Sequence, residues 1–201
     1  MKSCLFCANF PCGTWEYYRE EYGYTSDELI AEECPYYVED SVGNAIRELE
    51  KQYGKDVLSE EGPSREELEF YKTRGLRGWE MFFVPEKWFY SEVLKHLSSS
   101  DVVFDVGAGD LRFDLIMSRY VRKVYAVEVN PIILAKALKI VGYRLPRNII
   151  VICANALDIP LPEDVTAITI LMQHRTWQIP EQWHGRKIIY TTREGVKVAK
   201  K

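Results

Sequence analysis

A chain of 201 residues can bury one substantial core and a small appendage. No run approaches the roughly 20 apolar residues of a membrane span. The opening MKSCLFCANF lacks the apolar core and cleavage site of a secretory signal, so a cytoplasmic protein with no membrane partner is expected. The net charge of −4 is unevenly spread: through Glu69 there are six Lys/Arg against 17 Asp/Glu, and from Phe70 onward 20 against 13. Opposite signs of this size suit two parts that attract each other, or a basic C-terminal part that meets an anionic substrate such as RNA.

Residues 1–40 carry four of the five cysteines, Cys4, Cys7, Cys12 and Cys34, spaced C-x2-C-x4-C-x21-C. In a reducing compartment such clusters are more often metal ligands than disulfides. Four thiolates around one tetrahedral centre would hold zinc, with an iron–sulfur cluster as the alternative and disulfides or free buried thiols as the reading without a metal. Nine aromatic residues interleave the cysteines, among them Phe6, Phe10 and Trp15. Acidic neighbours such as Glu16 and Glu20 argue for packing rather than base stacking. Periodicity does not define a fold for this segment.

Residues 41–98 read as helical. Val42, Ala45, Ile46, Leu49 and Tyr53 share one face of a helix from Ser41 that Gly54 can end. Ser64 with Glu67 forms a capping box, opening a helix through about Thr73 that turns Leu68 and Tyr71 inward. Lys72, Arg74 and Arg77 then sit among glycines, where they could hold an anion or simply be solvated. Pro85 starts a helix to about Leu97 that buries Trp88, Phe89, Val93 and Leu94.

Residues 99–201 open with DVVFDVGAGDLRFDLIMSRYVRKVYAVEVNP. Val102 to Val106 is a buried strand, Gly107-Ala-Gly109 a tight turn, Asp110 to about Val121 a helix, and Val124 to Val129 a second buried strand carrying Glu128. This is a βαβ unit. The glycines allow a ligand close to the backbone, and Glu128, 21 residues after Gly107, brings a carboxylate to ribose hydroxyls. A dinucleotide fingerprint would place Gly or Ala where Arg112 stands and leave the helix start free for pyrophosphate. Asp110 at that start is expected to cap the helix and repel a diphosphate, but to accept a sulfonium or ammonium group.

Pro131 begins a second helix to about Val141, whose outer face and exit carry Lys136, Lys139, Arg144 and Arg147. Ile149 to Cys153 is a third, fully apolar strand with Cys153 as a buried small side chain, and Asn155 follows at its ligand-facing end. Val165 to Met172 is a fourth strand delivering Gln173, His174 and Arg175 to the same edge. There His174 is a candidate general base and Arg175 a candidate anion contact. Lys187 to Thr192 is a fifth strand.

FDVGAGD, VYAVEVNP and CANALDIPLPED resemble the ligand-contact segments of the class I (Rossmann-like) S-adenosylmethionine-dependent methyltransferases, over about residues 88–192. The resemblance implies that Asp105, Gly107 and Gly109 line the methionine end of S-adenosylmethionine, that Glu128 binds its ribose, and that Asn155 with Ala156 faces the adenine. It implies a doubly wound, mostly parallel α/β sheet of seven strands. Here the final antiparallel pair is expected to be missing or reduced to Val196–Ala199, so the N-terminal region or the second subunit of a homodimer would complete the substrate wall. The family's nucleic-acid amine methyltransferases often carry Asn/Asp-Pro-Pro-aromatic where this chain has Leu-Met-Gln-His-Arg. The leading expectation is a methyltransferase acting on RNA, a protein or a small molecule. A non-catalytic, metal-stapled binding subunit and a nicotinamide-dependent oxidoreductase are the competing ones.

Overall fold

The computed structural model describes residues 2–22, 27–54, 64–75, 87–171, 179–192 and 194–200. Five helices precede the sheet: α1 (Gly13–Tyr22), α2 (Asp27–Glu33), α3 (Ser41–Tyr53), α4 (Arg65–Thr73) and α5 (Lys87–Leu94). The rest alternates as β1 (Val102–Val106), α6 (Arg112–Met117), β2 (Lys123–Glu128), α7 (Pro131–Val141), β3 (Ile149–Cys153), β4 (Ala167–Ile170), β5 (Lys187–Thr192) and β6 (Gly195–Lys200). The strands form one sheet in the order β3-β2-β1-β4-β5-β6, parallel throughout except for the antiparallel β5–β6 pair. This is a Rossmann-like α/β sheet. Its order reverses at β1, between β2 and β4, and open parallel sheets bind ligands outside the carboxyl ends of strands at such a point.

Local chemistry sets most boundaries. Asp40 accepts the Gly43 N–H to cap α3, and the Gly54 N–H closes its far end on the Glu50 carbonyl. The Ser64–Glu67 capping box is present on α4. On α7, the Asn130 side chain accepts the Ile132 and Ile133 N–H groups, with Pro131 in the first turn. Three expected elements are shorter. α5 ends at Leu94 rather than about Leu97. β4 is confined to Ala167–Ile170, and α6 ends at Met117, where Ser118 Oγ donates to the Leu115 carbonyl and the following turn tightens. At the other end, β6 pairs with β5 over six residue pairs, so the sheet carries one antiparallel strand longer than the expected remnant.

Successive β1 side chains face opposite ways. Val102, Phe104 and Val106 enter a cluster with Ile168, Ile188 and Trp183. Val103 enters a larger one with Phe113 and Ile116 of α6, Leu49 of α3 and Val93 of α5. That second cluster also contains Cys4, Leu5, Phe6, Cys7, Phe10 and Trp15, so the N-terminal segment packs into the core beside the sheet. Gly43 permits the closest approach: a Cβ there would lie 2.4 Å from the Phe6 carbonyl oxygen. On α5, Tyr90 stacks on Phe113 of α6 with centroids 4.7 Å apart. β3 is an edge strand, and Cys153 on it is exposed rather than buried as expected.

Ion pairs join the acidic and basic parts of the chain. Arg119 pairs with Asp40, Arg144 with Glu48 and Lys136 with Glu67. Mutual attraction therefore accounts for part of the charge asymmetry.

Candidate functional site

The carboxyl ends of β1, β2 and β3 bring Asp105, Glu128 and Asn155 to one edge of the sheet, with the glycine turn over β1. Gly107 (φ 78°) and Gly109 (φ 57°) both adopt the left-handed backbone region that favours glycine. Both are half-buried, whereas Ala108 and Asp110 beside them are buried. The accessible part of the turn is thus its two glycines.

Five of the six backbone donors from Gly107 to Arg112, all but that of Asp110, are already engaged within the protein. The Gly107 and Ala108 N–H groups donate to the Val127 carbonyl at 2.9 and 3.0 Å, and Leu111 N–H to the Ala108 carbonyl at 3.0 Å. The Gly109 N–H donates to Glu128 Oε2 at 2.8 Å, and Arg112 N–H to Asp110 Oδ1 at 3.2 Å. A pyrophosphate cradle needs such groups free.

Asp110 does not cap α6, contrary to the expectation from sequence. The N-cap position falls on Leu111, at φ 67°, with no side-chain cap. Asp110 instead grips Arg112, whose Nε and Nη2 lie 2.8 and 2.5 Å from its Oδ2. The buried guanidinium also donates from Nη1 to the Gly54 carbonyl at 2.5 Å and from Nη2 to the Leu49 carbonyl at 3.5 Å. A cation there meets the negative end of the α3 dipole and locks that helix to the turn. Asp110 is therefore charge-compensated, and any repulsion of phosphate must come from its neighbours.

Those neighbours are acidic. Glu50, Asp105, Asp110, Asp114 and Glu128 are all buried, and Arg112 is the one buried cation among the described residues. Asp105 accepts from the Thr169 hydroxyl on β4, and burial pushes its carboxyl up to about 7. Burial raises Asp114 well above the carboxylate range, and the charge of Asp105 raises it further. Glu128 is raised by burial too, against the opposing pull of backbone donors. Its Oε1 accepts the Asn130 N–H at 2.8 Å.

Asn155 Oδ1 accepts the Leu157 N–H at 3.1 Å in an Asx turn, and Ala156 beside it is buried among Val127 and Ile170. Tyr71 from α4 also reaches this region, held well above the ordinary phenol range by burial and by the charge of Glu128. Sequence reasoning assigned neither Tyr71 nor Thr169 to the site. The register Asp105–Thr169 exists only once β1 and β4 are paired. His174, Gln173 and Arg175 lie outside the described residues, as does Arg77.

No family model and no curated protein matches this chain. Parts of many solved structures resemble part of it, three of them as follows. The YcgJ protein of Bacillus subtilis is 18% identical with a TM-score of 0.43, over 51% of this chain and 49% of that one. The tRNA m1G37 methyltransferase of M. jannaschii is 22% identical with a TM-score of 0.39, over 51% and 34%. The 23S rRNA methyltransferase ErmE is 16% identical with a TM-score of 0.44, over 55% and 48%. The chain thus spans half or less of each of these proteins, and likenesses this slight decide nothing about its chemistry.

The expected metal centre does not assemble. Cys4, Cys7, Cys12 and Cys34 are in no disulfide, and no three Cys, His, Asp or Glu side chains among the described residues form a set able to hold a metal. Cys4 and Cys7 are buried in the apolar cluster, and Cys7 Sγ accepts the Val38 N–H at 3.5 Å. The residues present fit neither zinc nor an iron–sulfur cluster. Packing of Leu5, Phe6, Phe10 and Trp15 supplies the cohesion a metal would have given. No helix among the described residues is long and apolar enough to cross a membrane.

Proposed function

We propose that this chain is an S-adenosylmethionine-dependent methyltransferase whose cofactor lies over the glycine turn. One observation carries the choice: five of the six N–H groups from Gly107 to Arg112 are engaged within the protein, and a surplus of buried acids surrounds the turn. Such a site penalises a diphosphate and suits a nucleoside bearing positive charge. The residues therefore fit S-adenosylmethionine, which supplies a methyl group activated by a sulfonium leaving group.

Glu128 would hold the ribose. A carboxylate offers about four acceptor positions, and the N–H groups of Gly109 and Asn130 occupy two, leaving capacity for a vicinal diol. Asp105 would face the charged methionine end and Asn155 with Ala156 the adenine. Catalysis in this arrangement is mainly positioning and exclusion of water, so few reacting side chains are needed. His174, following β4, is the proposed general base for an acceptor that must lose a proton.

The proposed acceptor is RNA, on the basic charge of the C-terminal part. Lys136 and Arg144 are committed to ion pairs with Glu67 and Glu48, which leaves Lys139 and Arg147 as the candidate contacts on that face. Cys7, which forms no disulfide, suits a reducing, cytoplasmic compartment. The test is transfer of a tritium-labelled methyl group from S-adenosylmethionine to total RNA, with a protein extract in parallel. Label in RNA that disappears in Gly107→Val supports the reading. Label in protein alone would reassign the acceptor, and label in neither would remove the enzyme assignment.

A further inference from the structure

Asp114 lies on α6 with no solvent exposure, and neither carboxyl oxygen receives a hydrogen bond from another residue. Its direct neighbour is Asp105, which extends from β1 on the same side of the sheet as α6 and accepts from Thr169 on β4. The charged and titratable groups around the pair are Glu128 from β2, Asp110 from the turn with its partner Arg112, Glu50 from α3 and Tyr90 from α5. Arg112 is spent on Asp110 and on the carbonyls that end α3, so no cation is left for Asp114.

Two adjacent buried carboxylates have no hydrogen between them and repel. One proton resolves both problems, because a carboxylic acid donates where a carboxylate only accepts. Asp105 has the Thr169 hydroxyl to favour its charged form, whereas Asp114 has no donor from another residue, only its own backbone N–H. The proton therefore belongs on Asp114.

We propose that Asp114 is a positioning residue: a neutral carboxylic acid whose hydrogen bond to Asp105 favours that residue's charged form and fixes it for the cationic end of the cofactor. This rests on the S-adenosylmethionine reading for its purpose but not for its chemistry. The pattern, a carboxylic acid held neutral so that it can donate, is one that enzymes use elsewhere. An ordinary core residue at this position would leave Asp105 with Thr169 alone.

The test has two parts. The first is carboxyl-carbon NMR titration of the ligand-free protein, which does not depend on any cofactor. Asp114 should remain protonated through pH 8 while Asp105 titrates below it, and an Asp114 that ionises before Asp105 overturns the proposal. The second is the affinity for S-adenosylmethionine from pH 5.5 to 8.5 in the wild type, Asp114→Asn and Asp114→Ala. Asn keeps a neutral donor and should preserve the wild-type pH profile. Ala removes it and should move the profile at least about one unit to higher pH, weakening binding about tenfold at pH 7. An Ala variant with the wild-type profile, or an Asn variant that behaves like Ala, would contradict it. Failure of all three proteins to bind would count against the cofactor reading and leave the NMR result to decide the proton's place.

Discussion

Glu128 is the side chain on which the ribose assignment stands. Its two oxygens take N–H groups from the turn and from the start of α7, so it fixes the glycine loop before any ligand arrives. Truncation by Glu128→Ala should weaken cofactor binding by about 1.5–3 kcal/mol, measured by calorimetry; an unchanged affinity would remove Glu128 from the site. The buried acids also set a pH dependence. Asp105 holds its proton to about 7 in the folded chain, against roughly 4 when unfolded. The native state therefore binds more protons than the unfolded state in this window, and its contribution to stability falls as pH rises from about 4 through 7. Asp101 and Glu67, held below the ordinary range, act with the opposite sign only under more acidic conditions. Urea unfolding of ligand-free protein should show stability falling from pH 5 to pH 8, on the order of 2–3 kcal/mol of it from Asp105 and more from Asp114 and Glu128, which burial raises in the same direction; Asp105→Asn should remove only part of the loss. The positions of Gly107, Gly109 and Glu128 were legible because spacing along one βαβ unit is local. The true partner of Asp110 was not, since an acid at a helix start looks like a cap until the turn's geometry places Leu111 there.

Among the elements, α3 is coupled to the turn through a single side chain. Arg112 satisfies the last carbonyls of α3 and the charge of Asp110 together, so Arg112→Met would leave a buried carboxylate without its cation. The expected cost is about 3–5 kcal/mol, read from denaturant unfolding; a loss under 1 kcal/mol would mean that water reaches Asp110. The other end of α3 is fixed by contact. Gly43→Ala would drive a methyl group into the Phe6 carbonyl, and about 1–3 kcal/mol should be lost. An Ala variant as stable as the wild type would show that the N-terminal segment yields there. Periodicity with Gly54, the Ser64–Glu67 box and Pro131 predicted α3, α4 and α7 closely, because such signals act within a few residues of the backbone they set; the Asp40 and Asn130 caps appeared only in the structure. Local signals could not predict the end of α6, which depends on how Ser118 and the following turn feed into β2. The apolar run at β3 misled on exposure: continuous Ile and Val fit a buried strand, but β3 forms the sheet edge and leaves Ile150 and Cys153 exposed.

At the scale of the whole molecule, the sheet order and the acidic surplus at its reversal point are what the chain has built. Cysteine spacing in the N-terminal segment suggested a metal centre, yet aromatic packing brings that segment into the core with no metal-holding set among the described residues. Spacing constrains only which ligands could meet, whereas burial of Phe6, Phe10 and Trp15 decides where the backbone goes. The charge asymmetry was legible as a sum but not as pairs. Arg119–Asp40, Arg144–Glu48 and Lys136–Glu67 become visible only once the helices are placed. The measurement that tests the central claim most directly is calorimetric titration of the purified protein with S-adenosylmethionine, S-adenosylhomocysteine and NAD at pH 7.5. An acid-rich turn with most of its N–H groups engaged predicts micromolar binding of S-adenosylmethionine, weaker binding of S-adenosylhomocysteine, which lacks the sulfonium charge, and none of NAD. Binding of NAD, or of none of the three, would contradict it.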